Sequence, residues 1–169
     1  MGDAEDDAAA YELLERIRWV GAAPPCPHCG AGDCYLLRPR DGLTRPTRTG
    51  ARSARRVWRC RSCRRQFSVL TGTVLAGSRV PARVLVAVLT GWAAGGRSRA
   101  RDVAAGHGLT AEAARHLLRR VDAALAATGG TDPFAAVLAA PGGDELRRRL
   151  PARQRPRRQV GPSADHGTG

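Results

Sequence analysis

A small α+β fold is what the sequence predicts: β-hairpins drawn together by four cysteines, then three helices, then a disordered basic tail. Three observations carry that prediction. Two Cys-x-x-Cys pairs, Cys26 with Cys29 and Cys60 with Cys63, flank short β-prone stretches. Apolar residues recur at helical spacing from Pro81 to about Ala127. From Gly129 onward Gly, Pro, Ala and Arg dominate and that periodicity is lost.

The elements follow in chain order. Residues 1–20 form an acidic segment, with Asp3, Glu5, Asp6, Asp7, Glu12 and Glu15 against Arg16 and Arg18. Within it, Ala8 to Trp19 place Leu13, Leu14 and Ile17, with Val20 beyond, near helical spacing, so a short amphipathic helix is expected, ended by Ala22-Ala23-Pro24-Pro25. Over 21–78 a zinc ribbon is expected. Tyr35 to Leu37 and Arg56 to Arg59 read as strands around an Arg-, Thr- and Gly-rich loop from Arg38 to Ser53, a hairpin with a long polar tip. Over 79–128 a three-helix, helix-turn-helix unit is expected. Pro81 suits the first turn of a helix through Val84, Leu85, Val88, Leu89 and Trp92, stopped by Gly95-Gly96. A second helix spans Ser98 to Ala105, Gly106-His107-Gly108 turn the chain, and Thr110 caps a third helix. Residues 129–169 read as a low-complexity Arg/Pro/Gly tail in which Phe134–Ala140 and Asp144–Leu150 could hold a turn or two of helix.

Charge narrows the class. The 169 residues carry 28 basic and 15 acidic side chains, a net charge of +13, and every basic residue is Arg. Eleven Arg fall in 38–65, eight in 79–120 and seven in 147–158. A polyanionic partner is implied, and Arg suits bidentate pairing with phosphate and guanine edges. With only 7 aromatic residues (Trp 3, Phe 2, Tyr 2), a large core is not expected. The acidic N-terminus lacks the positive charge of a secretory signal, and no apolar run reaches the roughly 20 residues of a spanning helix. A cytoplasmic, nucleoid-associated protein is expected, with no membrane partner.

The cysteines carry the most specific chemistry. Two-residue gaps let both thiolates of a pair reach one tetrahedral ion, so Cys26, Cys29, Cys60 and Cys63 close a four-cysteine site for Zn2+, the mark of a zinc ribbon. Against zinc stand a redox dithiol, a disulfide pair and plain core cysteines; thioredoxin-like chemistry would need a βαβ context that the sequence lacks. Cys34, the fifth of 5 Cys, reads as a small buried residue with a ligand role as the alternative. His28, inside the first pair, reads as solvent-facing or adjacent to the site rather than as a ligand. Val57, Trp58, Phe67, Val69 and Leu70 are few for a ribbon core, whereas structural zinc contributes on the order of 10 kcal/mol.

In the helical unit, Val103, Ala104 and Leu109 should face inward, Ala105 should permit close helix approach, and Ala114, Leu117, Leu118 and Val121 should form the buried stripe of the third helix. Thr110, Ala111, Glu112, Arg115, His116 and Arg119 are left on its outer face. A major-groove reading surface and a solvated Arg face of an ordinary bundle are both compatible with that pattern. His107 and His116 lack the carboxylate partners of a catalytic or metal group.

Ile17-Arg18-Trp19, Cys26-Pro27-His28-Cys29-Gly30, the run Trp58 to Val69, Thr71-Gly72-Thr73 and the Pro81 helix together resemble the zinc-ribbon region of bacterial insertion-sequence DDE transposases. The following helix-turn-helix is similar to the one that accompanies that ribbon. The resemblance, over about residues 8–125, implies that the four cysteines bind zinc and that ribbon and helix-turn-helix recognise DNA, while a separate nuclease domain performs strand transfer. Expected DNA contacts are Arg55, Arg56, Arg59, Arg61, Arg64 and Arg65 on the ribbon, with Thr110, Arg115, His116 and Arg119 on the helix. The 42 residues after Ala127 offer few acids and no strand-like runs, so the catalytic domain is expected to be missing and no catalytic residue is assigned.

A zinc-dependent, non-enzymatic protein that binds double-stranded DNA is therefore expected, with a separately encoded transposase as a further partner. The alternative is a zinc-ribbon protein-interaction or regulatory module. RNA binding is disfavoured by scarce exposed aromatics. The Arg147–Arg158 tail fits either a solvated arm or a phosphate contact.

Overall fold

The computed structural model describes residues 3–19, 23–37, 44–46 and 52–139. The expected hairpin forms. Strand β1 (Cys34–Leu36) pairs antiparallel with β4 (Trp58–Cys60), in the register Cys34 opposite Cys60 and Leu36 opposite Trp58. The intervening loop is not featureless: β2 (Thr44–Pro46) and β3 (Arg52–Ala54) make a second antiparallel pair inside it. A short β5 (Gln66–Phe67) adds to the far side of β4, giving the order β1-β4-β5. Two and three residues are too short for alternation to show in sequence, which is why β5 and the inner pair escape a pattern-based reading.

Helix α1 (Asp3–Arg18) starts earlier than the apolar pattern suggests, and its buried face is a different one. Asp7, Ala10, Tyr11, Leu14 and Glu15 are buried, at i, i+3, i+4, i+7 and i+8, whereas Ile17 is 40% exposed. Two acids therefore sit where a stripe of hydrophobics is expected. Both are satisfied. The Asp7 carboxylate accepts the backbone N–H and the Nη1 of Arg83, each at 3.1 Å. Glu15 accepts Arg56 Nε at 3.0 Å and Trp58 Nε1 at 2.9 Å. The acidic segment is thus a packed helix cross-linked at one end to the helical unit and at the other to the ribbon.

The Pro81 helix, α2, runs Ala82–Ala93 with Pro81 at its N-cap. Pro offers no capping oxygen, and Asp7, arriving from α1, accepts the first-turn N–H of Arg83 in its place. Helix α3 spans Ala100–His107, two residues beyond the expected end, because Gly108 alone takes the left-handed conformation (φ 63°) that closes it. Ala105 is consequently exposed rather than at a helix contact. Thr110 caps α4 (Ala111–Thr128), its side chain accepting the Ala113 N–H. Ala114, Leu117, Leu118 and Val121 are buried as expected, with Ala124 continuing the stripe. A fifth helix, α5 (Pro133–Ala139), lies in the segment read as tail; Ala136, Val137 and Leu138 are buried in it.

One core unites Ala10, Tyr11 and Leu14 of α1 with Val69, Leu70 and Leu75 and with the inner faces of α2, α3, α4 and α5. A smaller one holds Cys26, Cys34, Cys60 and Phe67, with Trp19 and Trp58 against it. Trp19 packs on both. Val69 and Leu70, expected in the ribbon core, belong to the helical one. Among the described residues no helix is long and apolar enough to cross a membrane. Residues 140–169, including the Asp144–Leu150 stretch and the Arg147–Arg158 tail, lie outside the described residues.

Candidate metal centre

Each cysteine pair closes on a tight turn, and the two turns are built alike. In the first, Cys26 N–H donates to the Ala31 carbonyl at 2.9 Å, and His28 N–H points at Cys26 Sγ at 3.4 Å. In the second, Cys60 N–H donates to the Arg65 carbonyl at 3.1 Å, and Cys63 N–H points at Cys60 Sγ at 3.5 Å. The residue after the second cysteine has positive φ in both: Gly30 at 77° and Arg64 at 58°. For Gly30 that conformation is free, whereas an L-residue such as Arg64 gives up about 1–2 kcal/mol in it.

The turns face each other. Cys26 Sγ lies 3.6 Å from Cys63 Sγ, and Cys29 Sγ lies 3.7 Å from Cys60 Sγ. All four sulfurs fall within 4.8 Å of one another. A tetrahedral ion with metal–sulfur bonds of about 2.3 Å needs its sulfurs about 3.8 Å apart, so the set fits such an ion. Electrostatics points the same way. The Cys60 thiol is drawn down to about 6, first by the N–H of Cys63 and, against desolvation, by the neighbouring thiols. Cys29 receives a lowering hydrogen bond from the Ala31 backbone, yet desolvation and the thiols of Cys63, Cys60 and Cys26 push it up to about 12. A cation in the midst of the sulfurs would favour the thiolate form there.

The two open cases separate from this set. Cys34 is buried, its Sγ directed at the Ala31 carbonyl at 3.6 Å, and it lies outside the four-sulfur group. His28 is exposed with Nε2 3.4 Å from the Gln66 carbonyl. The ribbon's own apolar support is slight. Trp19 meets Trp58 and Phe67 edge-on, both at 6.2 Å between centroids, so the residue that follows α1 supplies an aromatic that the strands lack. Arg18 adds a second anchor, its Nη1 donating to the carbonyls of Val69 and Thr71.

The basic residues singled out from sequence divide into those tied to the protein and those open to solvent. Arg56 is a structural cross-link, its side chain 19% exposed and held by Glu12 and Glu15 at 2.9 and 3.0 Å. Its charge is thus neutralised within the fold, which removes the reason for expecting it at a partner. Arg59 is half-buried and donates from Nε to the Arg64 carbonyl at 3.3 Å. Arg61 is exposed, beside Asp33 at 3.3 Å and over the Tyr35 ring at 4.8 Å. Arg55, Arg64 and Arg65 are exposed. On α4 and its cap, Thr110, Ala111, Glu112, Arg115, His116 and Arg119 are all exposed, as expected, opposite the buried stripe.

Residues 5–66 match the family model of the transposase zinc-ribbon domain. The matched segment starts in α1 and ends in β5, so it includes the helix that contributes Glu15 and leads into Trp19 as well as both cysteine pairs. A domain of this kind is not itself catalytic. No curated protein and no solved structure matches the chain.

Proposed function

We propose that this chain is a zinc-dependent DNA-binding protein that acts as the recognition part of an insertion-sequence transposase does. The observation that carries the reading is the presence, in one chain, of a closed four-sulfur site and of a helix, α4, whose outer face bears Arg115, His116 and Arg119 beyond a capped N-terminus. Zinc suits four thiolates in a closed tetrahedron, where a structural ion holds shape and leaves no position open for substrate. In the ribbon, whose own core is Phe67 with a few neighbours, zinc supplies the stability that packing does not.

In this reading α4 enters the major groove and the exposed ribbon arginines, Arg55, Arg61, Arg64 and Arg65, contact phosphates. Thr110 and the first turn of α4 meet the backbone, while Arg115 and Arg119 reach base edges. The similarity of 5–66 to transposase zinc ribbons supports a nucleoprotein setting. Selection of bound sequences from a random duplex pool with the zinc-loaded protein tests it. An enriched sequence that Arg115→Ala and Arg119→Ala each weaken about tenfold is the expected result. Unchanged duplex affinity in both variants, with a protein partner still co-purifying, would favour an interaction module instead.

A further inference from the structure

Between the ribbon and the helices, the chain from Ser68 to Val80 makes a series of turns fixed from inside. Thr73, fully buried, donates to the Leu70 carbonyl at 2.8 Å and accepts the Leu75 N–H at 3.1 Å. Ala76 N–H donates to the Thr73 carbonyl, and Ser78 N–H to that of Leu75, both at 3.0 Å. From α4, Arg120 Nη2 donates to the Ala76 carbonyl at 2.8 Å, which holds the Gly77–Arg79 edge in place beside that helix.

A cleft of about 490 Å³ opens on each side of this edge. On the ribbon side Arg55 and Gln66 help wall it; on the α4 side Thr110, His116 and Arg119 do. Gly77, Ser78 and Arg79 line both, so the clefts adjoin at the edge that carries Arg79 and together give a groove with a ribbon side and an α4 side. Among the described residues that line them, Glu112 is the single carboxylate. With Arg56 and Arg120 engaged by the protein, the exposed cations Arg55 and Arg79 remain along the groove for phosphates, and Arg119 stands at its α4 end.

We propose that this groove is the track of one sugar-phosphate strand of duplex DNA, and that Arg79 is the phosphate contact joining the ribbon's footprint to that of α4. The inference rests on the DNA-binding reading and names the strand path within it. Spaced exposed guanidiniums on a hydrogen-bonded floor match a repeating monoanion, and a preset position for Arg79 reduces the ordering cost of contact.

The test is fluorescence anisotropy of the zinc-loaded full chain with a labelled random-sequence duplex across a range of KCl concentrations. Arg79→Ala should make the slope of log K against log salt shallower by about 0.9. Arg79→Lys, which keeps a point charge, should restore it. Arg97→Ala removes the same charge from an exposed side chain outside both clefts, and should leave the slope at the wild-type value. Wild-type binding whose slope Arg79→Ala does not change more than Arg97→Ala does, or that Arg79→Lys fails to restore, overturns the strand path and leaves the DNA reading standing. Wild-type protein that does not bind the duplex overturns both.

Discussion

Replacing Asp7 with Ala should be among the most damaging single changes outside the metal centre. The carboxylate is 0% exposed, and it accepts two hydrogen bonds from Arg83, one from the backbone N–H of the first turn of α2 and one from the guanidinium. The residue at the N-cap of that helix, Pro81, makes no side-chain cap. Removal therefore leaves a helix N–H without its acceptor, about 1 kcal/mol by capping measurements, and takes the Asp7 carboxylate from an Arg83 side chain that is only 29% exposed. Breaking a fully buried ion pair costs about 3–5 kcal/mol, and the partial exposure of Arg83 reduces that to about 2. The sum, about 3 kcal/mol, corresponds to a fall in Tm of about 6–12 °C for a chain of this size. Thermal unfolding followed by helical circular dichroism at saturating zinc measures it. A variant within about 0.5 kcal/mol of wild type, the usual range for a neutral surface change, would refute the account of α1 as the cap of α2.

Other outcomes follow from the same contacts. Chelation should unfold the ribbon and shift Trp19 and Trp58 emission while much of the helical signal persists, because the helical core contains no metal ligand; unchanged emission would contradict a metal-dependent ribbon. By metal analysis, Cys34→Ala should keep one zinc per chain whereas Cys60→Ala loses it, and a lowered stoichiometry in Cys34→Ala would make Cys34 a ligand after all. Glu15→Ala should cost about 2 kcal/mol in urea unfolding by leaving Trp58 Nε1 without its acceptor and Arg56 with Glu12 alone. Arg64→Gly should add about 1 kcal/mol of stability while weakening duplex binding, since the left-handed turn suits glycine and the exposed cation is lost.

The metal centre is legible in the sequence because its chemistry is local: two pairs of cysteines and their turn residues specify the geometry without knowledge of the rest of the chain. Helix α4 is legible for a similar reason, its cap at Thr110 and its stripe from Ala114 to Val121 lying in one continuous segment. Apolar periodicity misplaces the buried face of α1 because Asp7 and Glu15 are buried only by virtue of partners 76 and 41 residues away. Arg56 misleads for the converse reason. In sequence it is one cation in a basic run, and only folding brings Glu12 and Glu15 beside it. Helix α5 is legible only as the turn or two of helix allowed at Phe134–Ala140, because its seven residues are too short to show a period by themselves or to reveal that they pack into the core.

The most direct test of a zinc-held ribbon and a helix acting together as a DNA-binding unit is the salt dependence of duplex affinity, measured with and without the metal. If about six phosphates are neutralised, log K of the zinc-loaded protein should fall with log salt at a slope near −5, and chelation should make that slope markedly shallower. A slope near zero for the zinc-loaded protein would contradict the account.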